Sequence, residues 1–203
     1  MTRFVKICGL TCIEDADAAL AAGADALGLN LIPESKRSID WNTAADIAGR
    51  VNGRGRTVAV VTEAMIGDAE HLRVEAGVDW IQVHGYGGER KLPREAFAAV
   101  SIGGWPDVER ARSVPGDLLL VDARVPGQLG GTGVTFDWSL VETLATERRL
   151  ILAGGLHPGN VEQAVRQVRP YGVDVASGVE VVGNPRRKDA ELMRHFVAAA
   201  RRA

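Results

Sequence analysis

Cys8 and Lys6 stand two residues apart in the apolar run Phe4-Val-Lys-Ile-Cys8, so in an extended chain both side chains leave the same face. A thiol beside an ammonium is a candidate base, because a nearby cation favours thiolate. The plainer use of such a cysteine is as a small apolar core residue, and Lys6 has an alternative use in neutralising a buried aspartate such as Asp174. Asp122 follows Leu118-Leu-Leu-Val121, and alternation sets it on one face with Leu118 and Leu120. A carboxyl so placed is either an acid at a site or a cap for the loop behind it. Partial burial favours its protonated form and suits it to donate a proton near neutral pH.

Two glycine-bearing pairs, Gly154-Gly155 and Ser177-Gly178, each follow an apolar run. Backbone N–H groups there can approach a phosphate closely, and a helix starting beside them adds a favourable partial charge; the plain alternative is a tight turn. Gly130-Gly-Thr-Gly133, in the segment after Asp122, reads as a flexible loop beside a site and not as a dinucleotide motif, since no strand immediately precedes it. Lys36 and Arg37 put two cations in another loop, and a guanidinium can grip a carboxylate through two parallel hydrogen bonds. Of the four histidines, His84 shares a strand face with Gln82, whereas His71 and His195 fall in helical patterns and His157 precedes one. Cys8 and Cys12 have no further ligands at the usual zinc spacings, so no metal is expected.

Positioning these residues falls to eight short apolar runs, at 3–8, 25–31, 56–62, 79–84, 97–103, 117–122, 149–153 and 173–177, with Ala-rich stretches of helical pattern between them. Most runs are almost continuously apolar, as parallel strands covered on both faces must be. Thr11-x-x-Glu14 and Ser139-x-x-Glu142 fit capping boxes at helix starts. A phrase recurs as Gly23-Ala-Asp25, Gly77-Val-Asp79 and Gly172-Val-Asp174, each where a helix hands over to a strand. Eight strand–helix units in 203 residues leave roughly 25 residues per unit, close to the minimum for a (β/α)₈ barrel. The expected fold is therefore α/β, a compact (β/α)₈ TIM barrel forming a single domain over residues 1–203. A doubly wound sheet is the alternative, but the first strand ends in Cys8-Gly9-Leu10 with no G-x-G-x-x-G. In a barrel the site lies at the C-terminal strand ends, which is where Cys8, Gln82, His84, Asp122 and the glycine pairs fall. The fourth unit is short, because Gly85 to Pro93 leaves little room for a helix.

A net charge of −2 and a pI near 6.1 give no global field for nucleic acid or an anionic membrane. The basic clusters are short and scattered. Two cysteines make no disulfide framework, and neither a leader nor an apolar run of membrane-spanning length is evident, so a cytoplasmic location is expected. No apolar stripe marks a dimer face, and a monomer or weak homodimer is expected.

The ordered set of phrases resembles the phosphoribosylanthranilate isomerase family. The matching segments are Lys6-Ile-Cys-Gly-Leu-Thr11, Gly23-Ala-Asp-Ala-Leu-Gly28, Pro33-Glu-Ser-Lys-Arg37, Gln82-Val-His-Gly85, Leu120-Val-Asp122, Gly130-Gly-Thr-Gly133, Phe136-Asp-Trp138, Leu152-Ala-Gly-Gly-Leu156 with Pro158 and Asn160, and Val173-Asp-Val-Ala-Ser-Gly-Val-Glu180 with Lys188-Asp189. They run in family order across almost the whole chain. The resemblance implies a cofactor-free Amadori rearrangement of a phosphorylated aminoaldose in tryptophan biosynthesis. It implies Asp122 as general acid on the furanose ring oxygen and Cys8 as general base at the sugar C2. Arg37 is implied as the anthranilate-carboxylate anchor, and the backbone around Gly154, Gly155, Ser177 and Gly178 as the phosphate site, with Gln82, His84 and Asp174 among the substrate-contacting residues. The chain departs from the family where Phe97-Ala-Ala-Val-Ser-Ile102 lacks a strand-five lysine, where Asn30-Leu31 replaces an aromatic, where the third strand ends in Val60-Val-Thr62, and in the shortened fourth unit. Two alternatives stay open on sequence: another phosphate-binding barrel enzyme, and a catalytically silent barrel that only binds a phosphorylated metabolite or a partner protein.

Overall fold

The computed structural model describes residues 3–123 and 137–203; the Gly130–Gly133 segment lies outside them. Eight parallel strands close in chain order: β1 (Phe4–Cys8), β2 (Ala26–Asn30), β3 (Arg56–Thr62), β4 (Trp80–His84), β5 (Ala96–Ile102), β6 (Leu118–Ala123), β7 (Arg149–Leu152) and β8 (Gly172–Val175), with β8 pairing back onto β1. The helices around them are α1 (Ile13–Ala21), α2 (Trp41–Val51), α3 (Ile66–Glu75), α4 (Trp105–Ser113), α5 (Glu142–Glu147), α6 (Val161–Val168) and α7 (Ala190–Arg202). The expected α/β barrel is thus the observed architecture. The largest boundary difference is at the last strand, which stops at Val175 because Ser177 already opens a 3₁₀ turn, Ser177–Val179. That turn leads into an antiparallel ribbon of β9 (Glu180–Val181) and β10 (Asn184–Lys188).

Strand alternation divides the side chains into two sets. Val5, Ile7, Leu27, Leu29, Leu119 and Leu150 face outward and are buried under the helices. The inward set changes character along the barrel axis. At the N-terminal end Phe4 stacks on Tyr171 at 5.5 Å and Trp80 meets Phe97 edge-on at 6.4 Å, over an apolar plug that includes Val58, Leu120 and Ile151. At the C-terminal end the inward residues include Lys6, Cys8, Gln82 and Asp174. The plug makes the barrel a packed core with a polar mouth.

Among the described residues, the fourth unit has no helix. Glu63 takes its place as an organiser, accepting from Gly87 N at 2.8 Å and Arg90 N at 2.7 Å, while the buried Tyr86 donates its hydroxyl to Arg90 O at 2.8 Å. Neither expected capping box forms. Cys12 is the N-cap of α1 without a side-chain bond, and Thr11 donates its hydroxyl to Arg186 O in the β10 ribbon. Asp137, not Ser139, caps the 3₁₀ turn ahead of α5, accepting from Ser139 N at 3.0 Å. No helix among the described residues is long and apolar enough to cross a membrane.

The three Gly-x-Asp phrases have two structural meanings. Asp25 and Asp79 each stand just before a strand and reach sideways to the start of the preceding strand, accepting from Val5 N at 2.7 Å and Thr57 N at 2.8 Å. Gly172 is instead the first residue of β8, so Asp174 lies inside its strand and points into the barrel. Asp79 also bonds the Thr57 hydroxyl at 3.0 Å. Replacing Asp79 by Ala therefore leaves two donors of the buried Thr57 without an acceptor. We expect Asp79→Ala to cost about 1–3 kcal/mol, read as a lowered urea midpoint with an unchanged slope.

Candidate active site

Residues from several strand ends, together with the loops that follow, surround one cavity at the barrel mouth, open to solvent. Cys8 comes from β1, Asn30 from β2, Gln82 and His84 from β4, Asp122 from β6 and Asp174 from β8. Arg37, Gly154, Gly155 and Ser177 enter from the loops. Of the residues expected from sequence, only Gly178 is set back from the wall. A Cβ there would lie 2.0 Å from Leu156 O, so the missing side chain lets the loop after β8 pack against the loop after β7.

Lys6 and Asp174 are register partners across the β1–β8 seam, and Lys6 Nζ donates to Asp174 Oδ1 at 2.9 Å with the ammonium fully buried. Burial works against the ammonium, but the charges of Asp174 and Cys8 outweigh it, and Lys6 is held above its ordinary range. Both uses that the sequence left open for Lys6 are thus met at one place: it neutralises Asp174 and lies beside Cys8. Gly28 makes this possible. A Cβ on Gly28 would fall 2.6 Å from Cys8 Sγ and 3.0 Å from Lys6 Nζ, so thiol and ammonium occupy the space that a side chain would fill. An isolated glycine inside a strand pattern is the sequence signal for such an approach.

Across the mouth, Asp122 Oδ1 accepts from Ala123 N at 2.8 Å. Gly154, at φ +89°, runs against this turn, and a Cβ there would be 2.5 Å from Ala123 N and 3.0 Å from Asp122 Oδ1. The first glycine of the pair is therefore tied to the placement of the carboxyl. The second is tied to the loop: Asn160 Nδ2 donates to Gly155 O at 2.9 Å while its Oδ1 accepts from His157 N at 2.8 Å. Among the described residues the Gly155 N–H meets no acceptor.

On β4, Gln82 is buried with its Oε1 unpaired among the described residues, an acceptor waiting for a donor from the cavity. Burial, aided by the Lys6 charge and opposed by Asp174, holds His84 below the ordinary histidine range. Its imidazole is neutral at pH 7 and can offer one donor and one acceptor. Arg37 does not stand alone: its Nε donates to Glu180 in the β9–β10 ribbon, and Lys188 Nζ reaches the same carboxylate at 3.3 Å. Among the described residues no group of three or more His, Cys, Asp or Glu is gathered as metal ligands would be.

A thiol, a carboxyl, paired buried charges, the Gly155 N–H and the unpaired Gln82 oxygen thus share one mouth. The sequence matches the family of N-(5'-phosphoribosyl)anthranilate (PRA) isomerase over residues 5–199. The chain belongs to that family. It is 44% identical to N-(5'-phosphoribosyl)anthranilate isomerase of Myxococcus xanthus, an alignment covering 99% of this chain and 97% of the relative. The fold matches the crystal structure of phosphoribosyl anthranilate isomerase from Thermotoga maritima with a TM-score of 0.85 and 34% identity over 100% of both chains. A phosphoribosyl anthranilate isomerase solved in complex with reduced 1-(o-carboxyphenylamino)-1-deoxyribulose 5-phosphate matches at a TM-score of 0.82 and 32% identity, again over 100% of both chains.

Two expectations about this family member follow from its site. As pH falls, the unfolded chain binds the His84 proton before the folded chain does, so stability is lost as pH drops below about 6.5 and the loss levels off beneath the folded midpoint. Proton NMR should place that midpoint below 6.5, and urea midpoints between pH 7 and pH 5 should fall less steeply in His84→Gln. Gly28→Ala should drive a methyl into the Cys8–Lys6 contact and destabilise by about 1–3 kcal/mol, measured by urea titration.

Proposed function

We propose that the chain converts N-(5-phosphoribosyl)anthranilate to 1-(2-carboxyphenylamino)-1-deoxyribulose 5-phosphate, an intramolecular aldose–ketose isomerisation in tryptophan biosynthesis. The observation that carries this reading is that Cys8 and Asp122 line one cavity from opposite sides of the ring, β1 and β6 being separated by two strands one way and four the other. Asp122 gives its proton to the furanose ring oxygen, and the C1–O bond breaks as the amine lone pair forms an iminium ion. Cys8, as thiolate, takes the proton from C2, and the C2 electron pair passes to the iminium to leave a neutral enolamine. Tautomerisation of the enolamine gives the ketone. Product and substrate have the same atoms and the same overall oxidation state, so an acid and a base suffice.

The remaining residues position the substrate so that both proton transfers occur from one pose. Backbone donors around Gly154, Gly155, Ser177 and Gly178 take the phosphate, supported by the unpaired Gly155 N–H and by the proximity of the loops after β7 and β8. Arg37 takes the anthranilate carboxylate. Gln82, neutral His84 and Asp174 face the ribose hydroxyls with both acceptors and donors. A base that must remain a free thiol fits a reducing, cytoplasmic setting, and both cysteines are free; with its site built from one chain, the protein works as a monomer or weak homodimer.

Cys8→Ala and Asp122→Asn should each lower kcat by about 10²–10⁴-fold with the fold retained. The assay is fluorescence loss on isomerisation of N-(5-phosphoribosyl)anthranilate, with circular dichroism as the control for folding. Wild-type turnover should also restore growth without tryptophan to a strain lacking this isomerase. Near-normal rates in both variants would remove the mechanism, and no turnover by folded wild-type protein would remove the activity.

A further inference from the structure

The β9–β10 ribbon supplies neither acid nor base, yet it sets a buried charge arrangement directly behind the cavity wall. Glu180 Oε1 receives two cations: Arg37 through Nε, and Lys188 through Nζ at 3.3 Å. Lys188 also donates to Ala176 O at 2.9 Å, at the end of β8, and its ammonium has no exposure. Arg37 and Glu180 side chains are each only 14% exposed. Two cations around one carboxylate leave a net single positive charge, and of the three it is Arg37 that faces the cavity. The Arg37 stem crosses Gly9, where a Cβ would come 2.3 Å from Arg37 Cδ. The guanidinium is thus held from the stem side by the space over Gly9 and at Nε by Glu180. Its terminal nitrogens meet no acceptor among the described residues.

We infer that Glu180, backed by Lys188, makes the cavity selective for a substrate carrying a planar carboxylate, by fixing Arg37 so that its two terminal N–H groups meet both carboxylate oxygens together. The inference rests on the reading of Arg37 as the carboxylate anchor. Glu180 is a positioning residue that does not itself line the cavity. A guanidinium already held by one edge loses little freedom when the other edge binds, and its planar fork matches a carboxylate better than a phosphate or hydroxyl of similar reach. Lys188 has a matching part. Without it, Glu180 would neutralise Arg37 one for one, and the wall would present no net charge to an anion. A purely structural role for the ribbon predicts no such preference between ligands.

The test compares reduced 1-(o-carboxyphenylamino)-1-deoxyribulose 5-phosphate with its phenyl counterpart, which lacks the carboxylate, by calorimetric titration of the full chain. Steady-state kinetics are measured alongside. Glu180→Gln should weaken the carboxylate ligand and raise KM by about tenfold or more, keep kcat within about threefold, and bind the phenyl ligand as wild type does. Lys188→Met should move in the same direction by less. Arg37→Ala serves as the reference. If it abolishes discrimination between the two ligands while Glu180→Gln preserves it, Glu180 has no positioning role and the inference is overturned. Equal weakening of both ligands by Glu180→Gln overturns it as well, since that is the mark of a displaced ribbon. If Arg37→Ala itself leaves discrimination intact, the anchor reading of Arg37 fails first, and the inference falls with it. Should Glu180→Gln not fold, Glu180→Asp, which keeps the charge and withdraws it by one methylene, is read by the same criteria.

Discussion

Closure of the barrel brings the first strand against the last, and at that seam a lysine faces an aspartate in register at 2.9 Å, sealed from solvent on the lysine side. Taking both charges out of water is costly, and a well-packed apolar pair would serve stability as well or better. The arrangement makes sense through what it imposes on its surroundings. An inward Lys6 requires an inward Asp174, which fixes the β1–β8 register, and that register settles which side chains point into the mouth. A slip of β1 by one residue would turn Lys6 into the outer layer among Val5, Ile7 and Val173 and leave Asp174 inside the barrel without its cation. Specificity of closure and polarity of the mouth thus have one cause.

The same inward periodicity yields two different interiors along one axis. Toward the N-terminal ends the inward residues are aromatic or branched and fill the space; toward the C-terminal ends they are charged, amidic or small, and leave a cavity. Small residues are as important to the upper half as the reactive ones. Gly28 yields its volume to Cys8 and Lys6, and Gly154 yields its volume to the turn that carries Asp122. The placement of side chains at the mouth therefore depends on positions that contribute no functional group.

Beyond the barrel strands, the β9–β10 ribbon lies behind the mouth, tied to it through Glu180 and Arg37, and it is anchored on the far side by Asp15 of α1. Asp15 accepts from Lys188 N at 2.8 Å and pairs with Arg187 at 3.1 Å. The first helix, the ribbon and the loop carrying Arg37 are consequently one connected unit. Lys188 sits at its centre, its ammonium lowered by burial, supported by the Glu180 charge and opposed by that of Arg37.

The sequence alone determined the eight-strand α/β barrel, because nearly continuous apolar runs about 25 residues apart admit few other architectures. It also determined which strand ends carry Cys8, Gln82, His84 and Asp122, because a period of two assigns faces without any long-range information. Local signals failed where two local options compete. Thr11 and Ser139 matched a capping pattern, but Thr11 found a better acceptor 175 residues away and Asp137 took the cap instead. One Gly-x-Asp phrase sat inside its strand while two preceded theirs. Only the tertiary structure decided that Lys6 pairs with Asp174 and lies beside Cys8, that Gly28 must be bare, and that Arg37 is held by Glu180, which also receives Lys188. Each of these joins residues from different strands or loops, and such pairings are set by barrel closure and loop packing, which no local pattern of residues encodes.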